Sequence, residues 1–71
     1  MDALAALSSL PQEYREVLLL REVQKASYDQ IAVALGLSRD AVSMRLTGAR
    51  RELMRRLRMA DHDMPNPMRG D

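Results

Sequence analysis

The chain has 71 residues, of which 46% are hydrophobic and 30% are charged, and this length allows one small domain. It contains no cysteine, phenylalanine or tryptophan, so disulfides and thiolate metal sites are excluded and the core must be largely aliphatic. No apolar run approaches the roughly 20 residues of a membrane span, and no signal peptide opens the chain, so we expect a cytoplasmic protein with no membrane segment.

The formal net charge of +1 hides an uneven distribution of charge along the chain. Residues 39–58 contain seven arginines and two acidic residues, whereas the rest of the chain has four basic and eight acidic residues. The two parts therefore carry +5 and −4. A basic helix on an acidic body indicates binding to a polyanion. The alternative is a solvated helix whose arginines pair with neighbouring acids.

The first predicted helix lies in residues 2–9, which are rich in alanine and leucine. Asp2 is well placed to cap it, and Leu4 and Leu7 stand one turn apart. The segment is too short to be stable alone and needs tertiary contacts. It is equally consistent with the end of a linker.

A second helix is predicted from Pro11, because proline is tolerated in the first turn of a helix. Its apolar residues cover more than one face, so it contacts more than one neighbour or presents a surface to a partner. Val17 and Leu18 fit the core, whereas Tyr14 and Leu19 fit partner contacts. No glycine stands at residues 24–26, so this helix either frays or runs on into a short turn.

Residues 27–57 have the pattern of a helix-turn-helix. Ser27 and Gln30 form a capping box at the start of the third helix. Gly36 suits the left-handed residue of a tight turn, and Ser38 is a second N-cap. The turn is short enough that the two helices must cross at a steep angle.

The fourth helix has two faces. A core-facing stripe follows the spacing of 4, 3, 4 and 4 residues: Val42, Leu46, Ala49, Leu53 and Leu57. At about 100° per residue, the opposite face collects Asp40, Met44, Thr47, Gly48, Arg51, Arg55 and Arg58. The chain is therefore predicted to be an all-α bundle of about four helices that contains a helix-turn-helix.

Residues 59–71 contain two prolines and a glycine and show no periodicity, which predicts a disordered C-terminal tail after a domain of residues 1–58. His62, the only histidine, stands between Asp61 and Asp63, and an exposed tail explains this triplet better than a metal site. We expect no metal and no cofactor. An enzyme is also disfavoured, since there is no phosphate-binding loop and no cluster of catalytic residues.

Three stretches resemble region four of bacterial sigma factors of the extracytoplasmic-function group. They are LPQEYREVLLLREV (residues 10–23), SYDQIAVALGLS (27–38) and AVSMRLTGARREL (41–53). The resemblance implies a four-helix domain that docks on core RNA polymerase and places its last helix in the major groove at the promoter −35 element. It also implies an anti-sigma factor as a partner. Members usually carry a region-two domain upstream, so this chain corresponds to an excised or a free-standing domain.

On this basis, candidate DNA-binding residues come from the starts of the third and fourth helices and from the exposed side of the fourth. Arg39 is the first candidate for base recognition, since arginine bound to guanine is the commonest specific contact. Arg45 and Arg51 are candidates for phosphate contacts. The full set is Ser27, Tyr28, Ser38, Arg39, Ser43, Met44, Arg45, Thr47 and Arg51. Candidate partner-binding residues are Tyr14, Val17, Leu18, Leu19 and Arg21.

Two alternatives remain open. Ser43 and Gly48 stand where the family commonly has lysine or arginine, which favours a protein-interaction module, such as a sigma-factor mimic or an anti-sigma-factor target, with weak or lost DNA binding. A different helix-turn-helix family, such as a response-regulator output domain, is the other alternative. Those domains usually dimerise, whereas we expect this chain to be a monomer.

Overall fold

The computed structural model describes the backbone of residues 2–63 and the side chains of residues 2–59. The elements in order are helix α1 (Ala3–Ser8), helix α2 (Gln12–Leu18), a π-helical segment (Leu19–Val23), helix α3 (Tyr28–Leu35) and helix α4 (Arg39–Asp63). Within residues 2–63 there is no strand, which confirms the predicted all-α bundle of four helices. None of these helices is both long and apolar enough to cross a membrane.

The C-terminal part of the chain was predicted as a tail from residue 59. The α4 backbone continues to Asp63, because residues 59–63 contain neither glycine nor proline to end the helix. The triplet Asp61, His62 and Asp63 therefore lies in the α4 backbone, and its side chains lie outside the described ones. Residues 64–71 also lie outside the described residues, and the domain boundary at residue 58 stays a prediction.

Helix α1 forms because its first turn is capped locally and one side is buried. The Asp2 carboxylate accepts a hydrogen bond from the Ala5 amide at 2.7 Å, as an N-cap does. Ala6 is fully buried. The Arg15 guanidinium then donates to the Ser8 and Leu10 carbonyls at 3.0 and 3.3 Å, which fixes the turn into α2. The helix prediction is confirmed over the linker alternative.

The junction between α2 and α3 is a closed turn, not a frayed helix end. Helix α2 widens into the π-helical segment, where the Gln24 amide donates to the Leu19 carbonyl at 3.1 Å. Lys25 then adopts a left-handed conformation with φ of 59°, and the Ala26 amide donates to the Leu20 carbonyl at 3.0 Å. A lysine thus occupies a position where glycine is usual.

The helix-turn-helix is closed by the caps that were predicted for it. Ser27 and Gln30 make both hydrogen bonds of the capping box, at 2.8 and 3.1 Å. Gly36 is left-handed, with φ of 68°, and the Leu37 amide donates to the Ala32 carbonyl at 2.9 Å. These local hydrogen bonds set the angle at which α4 leaves α3.

The core lies between α4 and the three shorter helices, all of which contact it. Its fully buried side chains on α4 are Val42, Leu46 and Ala49, and Leu53 and Leu57 are half-buried further along the same stripe. The other buried residues are Ala6, Leu10, Val17, Leu18 and Ile31. Because α4 provides one wall of this core, its opposite face is left to solvent.

Candidate nucleic-acid interface

The outer face of α4 consists of Asp40, Ser43, Met44, Thr47 and Arg51, all of which are exposed. It lies opposite the buried stripe of the same helix and begins in its first turn. The Thr47 hydroxyl donates to the Ser43 carbonyl at 3.0 Å. The first half of α4 therefore presents a continuous exposed strip next to the glycine turn, which is the geometry that allows a helix to enter a DNA groove.

Three arginines in the first half of α4 have guanidinium groups available to a ligand. Arg39 is 68% exposed, and its only ion pair within the described residues is with the equally exposed Asp29 at 3.6 Å. Such a surface pair is weak and is easily exchanged for another anion. Arg51 is exposed and Arg45 is half-buried, and neither makes an ion pair or a side-chain hydrogen bond to the rest of residues 2–59.

Three other arginines of α4 are bound within the domain. Arg50 donates to Glu22 at 2.7 Å and joins α4 to the π-helical segment. Arg56 donates to Glu52 at 2.9 Å and to the Ser9 carbonyl at 2.7 Å, which joins α4 to the end of α1. Arg55 also binds Glu52. The charge of +5 is therefore partly neutralised inside the domain, and less of it faces a ligand than the sequence indicated.

These ion pairs change the acidity of two carboxyl groups. Hydrogen bonds from Arg55 and then Arg56 lower the pKa of Glu52 to about 2. A hydrogen bond from Arg50 lowers the pKa of Glu22. Both carboxylates thus stay ionised further into the acid range than an ordinary glutamate, and each occupies hydrogen-bond donors of its arginine partners.

Gly48 does not lie on the outer face, so its predicted placement there is wrong. It is half-buried against helix α2, and a Cβ at this position would lie 2.8 Å from Tyr14 Oη and 3.3 Å from Tyr14 Cζ. At about 100° per residue, Gly48 stands some 120° from Val42, on the flank that the Tyr14 ring covers. The glycine is explained by this close approach of an aromatic ring to the helix backbone.

The predicted residues at the helix starts serve mainly as caps. Ser27 Oγ and Ser38 Oγ accept hydrogen bonds from the amides of Gln30 and Ala41, both at 3.1 Å. Tyr28 is half-buried, with the Arg21 guanidinium 5.0 Å above its ring centre. The two hydroxyl groups keep a proton to donate to a phosphate, whereas the Tyr28 ring is already in contact with Arg21.

The predicted partner surface is smaller than its five candidates. Val17 and Leu18 are buried in the core, with 0% and 3% exposure, so direct contact with a partner is wrong for both. Arg21 donates to the Ala26 carbonyl at 2.9 Å, and Tyr14 packs on α4. Leu19 is exposed. Val23, which was not among the predicted partner residues, is 67% exposed on the same segment, and only its apolar character signalled this.

Comparisons with known proteins identify a family. No curated protein and no solved structure matches the chain with significance. The family model described as "Sigma-70, region 4" matches residues 1–53. This range covers most of the chain and includes α1, α2, α3 and the whole outer face of α4. The chain therefore belongs to the sigma-70 region 4 family, whose members are DNA-binding sigma-factor domains of the helix-turn-helix type.

Proposed function

We propose that this domain recognises the promoter −35 element by placing the outer face of α4 in the major groove, within a sigma factor of the extracytoplasmic-function group. The observation that carries the proposal is the division of the α4 arginines. Arg39, Arg45 and Arg51 are available in the first half of α4, whereas Arg50, Arg55 and Arg56 are bound to acids or carbonyls of the domain. Free guanidinium groups spread around the first half of an exposed helix fit a groove whose edges are lined by phosphates.

In this arrangement the side chains divide into two roles. Arg39 stands in the first turn, where the residues of a recognition helix meet base edges, and its planar guanidinium suits the two acceptors of guanine. Arg45 and Arg51 hold phosphates on either side of the groove. The hydroxyl protons of Ser27 and Ser38 add phosphate contacts at the two helix starts.

We also propose that the exposed pair Leu19 and Val23 docks on core RNA polymerase or on an anti-sigma factor. These two side chains lie on the π-helical segment, whereas the outer face belongs to α4, so the two proposed surfaces share no residue. An apolar patch of this kind is buried more readily by a protein than by DNA.

A second candidate function is a protein-interaction module with weak or lost DNA binding. The observation that favours it is the filling of the Gly48 position by the Tyr14 ring. A longer, cationic side chain at this position would have to displace that ring, so the flank has lost a possible phosphate contact. Ser43, on the outer face, likewise carries no charge.

The salt dependence of duplex binding distinguishes the two functions. The affinity of the chain for a short duplex is measured by fluorescence anisotropy from low to moderate salt, for the wild type, Arg51→Gln and the matched control Arg50→Gln. Both variants lose one charge, but only Arg51 is assigned to a phosphate. The plot of log affinity against log salt has a negative slope, and its magnitude is expected to decrease by about 0.9 in Arg51→Gln and to stay unchanged in Arg50→Gln.

Amide chemical shifts give the second readout. Shifts centred on residues 38–47 that fade with salt support groove recognition. Absence of duplex binding even at low salt would refute it and leave the interaction module. Equal losses of slope in both variants would refute the assignment of Arg51.

A further inference from the structure

The middle of the outer face of α4 is apolar, although arginines flank it. Met44 is 75% exposed and takes no part in the core. It is the most exposed methionine among the described side chains, and it lies between Arg39 in the first turn and Arg51 further along. Exposure of a long apolar side chain to water is unfavourable in the free domain, and burial of this side chain against a ligand would remove that cost.

Thr47 extends this apolar strip. It stands three residues after Met44, so the two side chains are neighbours on the helix surface. A hydroxyl group has one proton to donate, and that of Thr47 is bound to the Ser43 carbonyl at 3.0 Å. What Thr47 offers to a ligand is therefore its methyl group and a hydroxyl oxygen that can only accept.

In the major groove, thymine is the base that presents a methyl group, at C5. Apolar side chains, including the threonine methyl group, are the usual contacts to it. Arg39 and Arg51 outweigh the single carboxylate of Asp40 on this face, and the net positive charge favours DNA over an apolar protein surface. We propose that Met44 and Thr47 select thymines of the recognised element through contact with their 5-methyl groups. This inference rests on the proposed function.

Deoxyuridine provides the test, because it differs from thymidine only by the loss of this methyl group. Duplexes are first selected from a random pool with the full chain at low salt. Each thymine of a selected duplex is then replaced by deoxyuridine, and the affinities are compared. One methyl contact is worth about fourfold in affinity, converted from about 0.8 kcal/mol per buried methyl-sized group.

Two variants and one control locate the effect. Met44→Ala is expected to lose the preference for thymidine over deoxyuridine at one position of the duplex. Thr47→Ser, which keeps the hydroxyl but lacks the methyl group, is expected to lose this preference at another position nearby. Met54→Ala, on the same helix and also exposed, is expected to keep the wild-type preference of about fourfold. Circular dichroism melting confirms that each variant is folded.

The outcomes separate this inference from the function on which it rests. A preference for thymidine that disappears in Met44→Ala supports it. Selected duplexes without thymine, or a preference that survives in Met44→Ala and Thr47→Ser, would overturn it while groove recognition stands. A pool from which nothing is selected would overturn both.

Discussion

Replacement of Gly48 by alanine tests whether the Tyr14 ring is held against α4. Alanine is favoured over glycine in a helix interior by about 1 kcal/mol. The new Cβ, however, would lie 2.8 Å from Tyr14 Oη, and ordinary Cβ contacts begin at 3.4 Å. The ring tip must therefore move by roughly 0.6 Å. A ring partly packed on the core does this at a cost of about 1 kcal/mol, through a strained rotamer.

The gain and the cost are thus expected to cancel, so Gly48→Ala alone should change the free energy of unfolding by less than about 0.5 kcal/mol. Tyr14→Leu removes the three atoms that approach the new Cβ, namely Oη, Cζ and Cε1. In that background, Gly48→Ala should stabilise the domain by about 1 kcal/mol. The coupling between the two sites should then be about 1 kcal/mol.

Urea unfolding followed by circular dichroism gives the four free energies of this cycle. Ser43→Ala serves as the control, because it changes helix propensity on the exposed face and should have the same effect with either residue at position 14. Additive effects of Gly48→Ala and Tyr14→Leu, within about 0.3 kcal/mol, would refute the reasoning. The glycine would then have no packing role.

Three further predictions concern the backbone at Lys25, the stability of the domain at acid pH and the core. Lys25→Gly should raise the free energy of unfolding by about 0.5–1 kcal/mol, because glycine adopts the left-handed conformation without the side-chain penalty. A lower free energy of unfolding for this variant, measured with urea, would contradict the left-handed conformation of Lys25. The stabilisation by Glu52 should be complete above pH 4.5 and lost as the pH falls toward about 2, since its pKa is lowered in the folded state. The difference in stability between the wild type and Glu52→Gln should therefore shrink over this range, and a constant difference would be the contrary result. Leu46→Ala should cost about 2–5 kcal/mol, enough to unfold much of so small a domain, and a native-like amide spectrum would count against its place in the core.

Features that depend on neighbouring residues were predictable from the sequence. The capping box at Ser27 and the left-handed Gly36 follow from side chains and backbone groups a few residues apart. The buried stripe of Val42, Leu46 and Ala49 follows from helical periodicity. Each is a local signal, and each was confirmed.

Features that depend on which helices meet were not predictable in this way. The side of α4 covered by α2 decides that Gly48 meets a ring and not solvent. Arg50 pairs with Glu22, which is 28 residues distant in the chain, so its charge could not be subtracted from the basic helix beforehand. The left-handed Lys25 has no residue-type signal at all, because lysine is not favoured there.

The π-helical segment Leu19–Val23 makes the junction between α2 and α3 more tolerant of a one-residue deletion than the rest of the domain. A π turn holds one residue more than an α turn over nearly the same path. Deletion of one residue within it returns the segment to an α-helix and leaves α2 and α3 in place. The same deletion within α4 turns every later side chain by about 100° and moves Leu46 and Ala49 out of the core. Insertions and deletions among related domains are therefore expected to be more frequent in the π-helical segment than in α4.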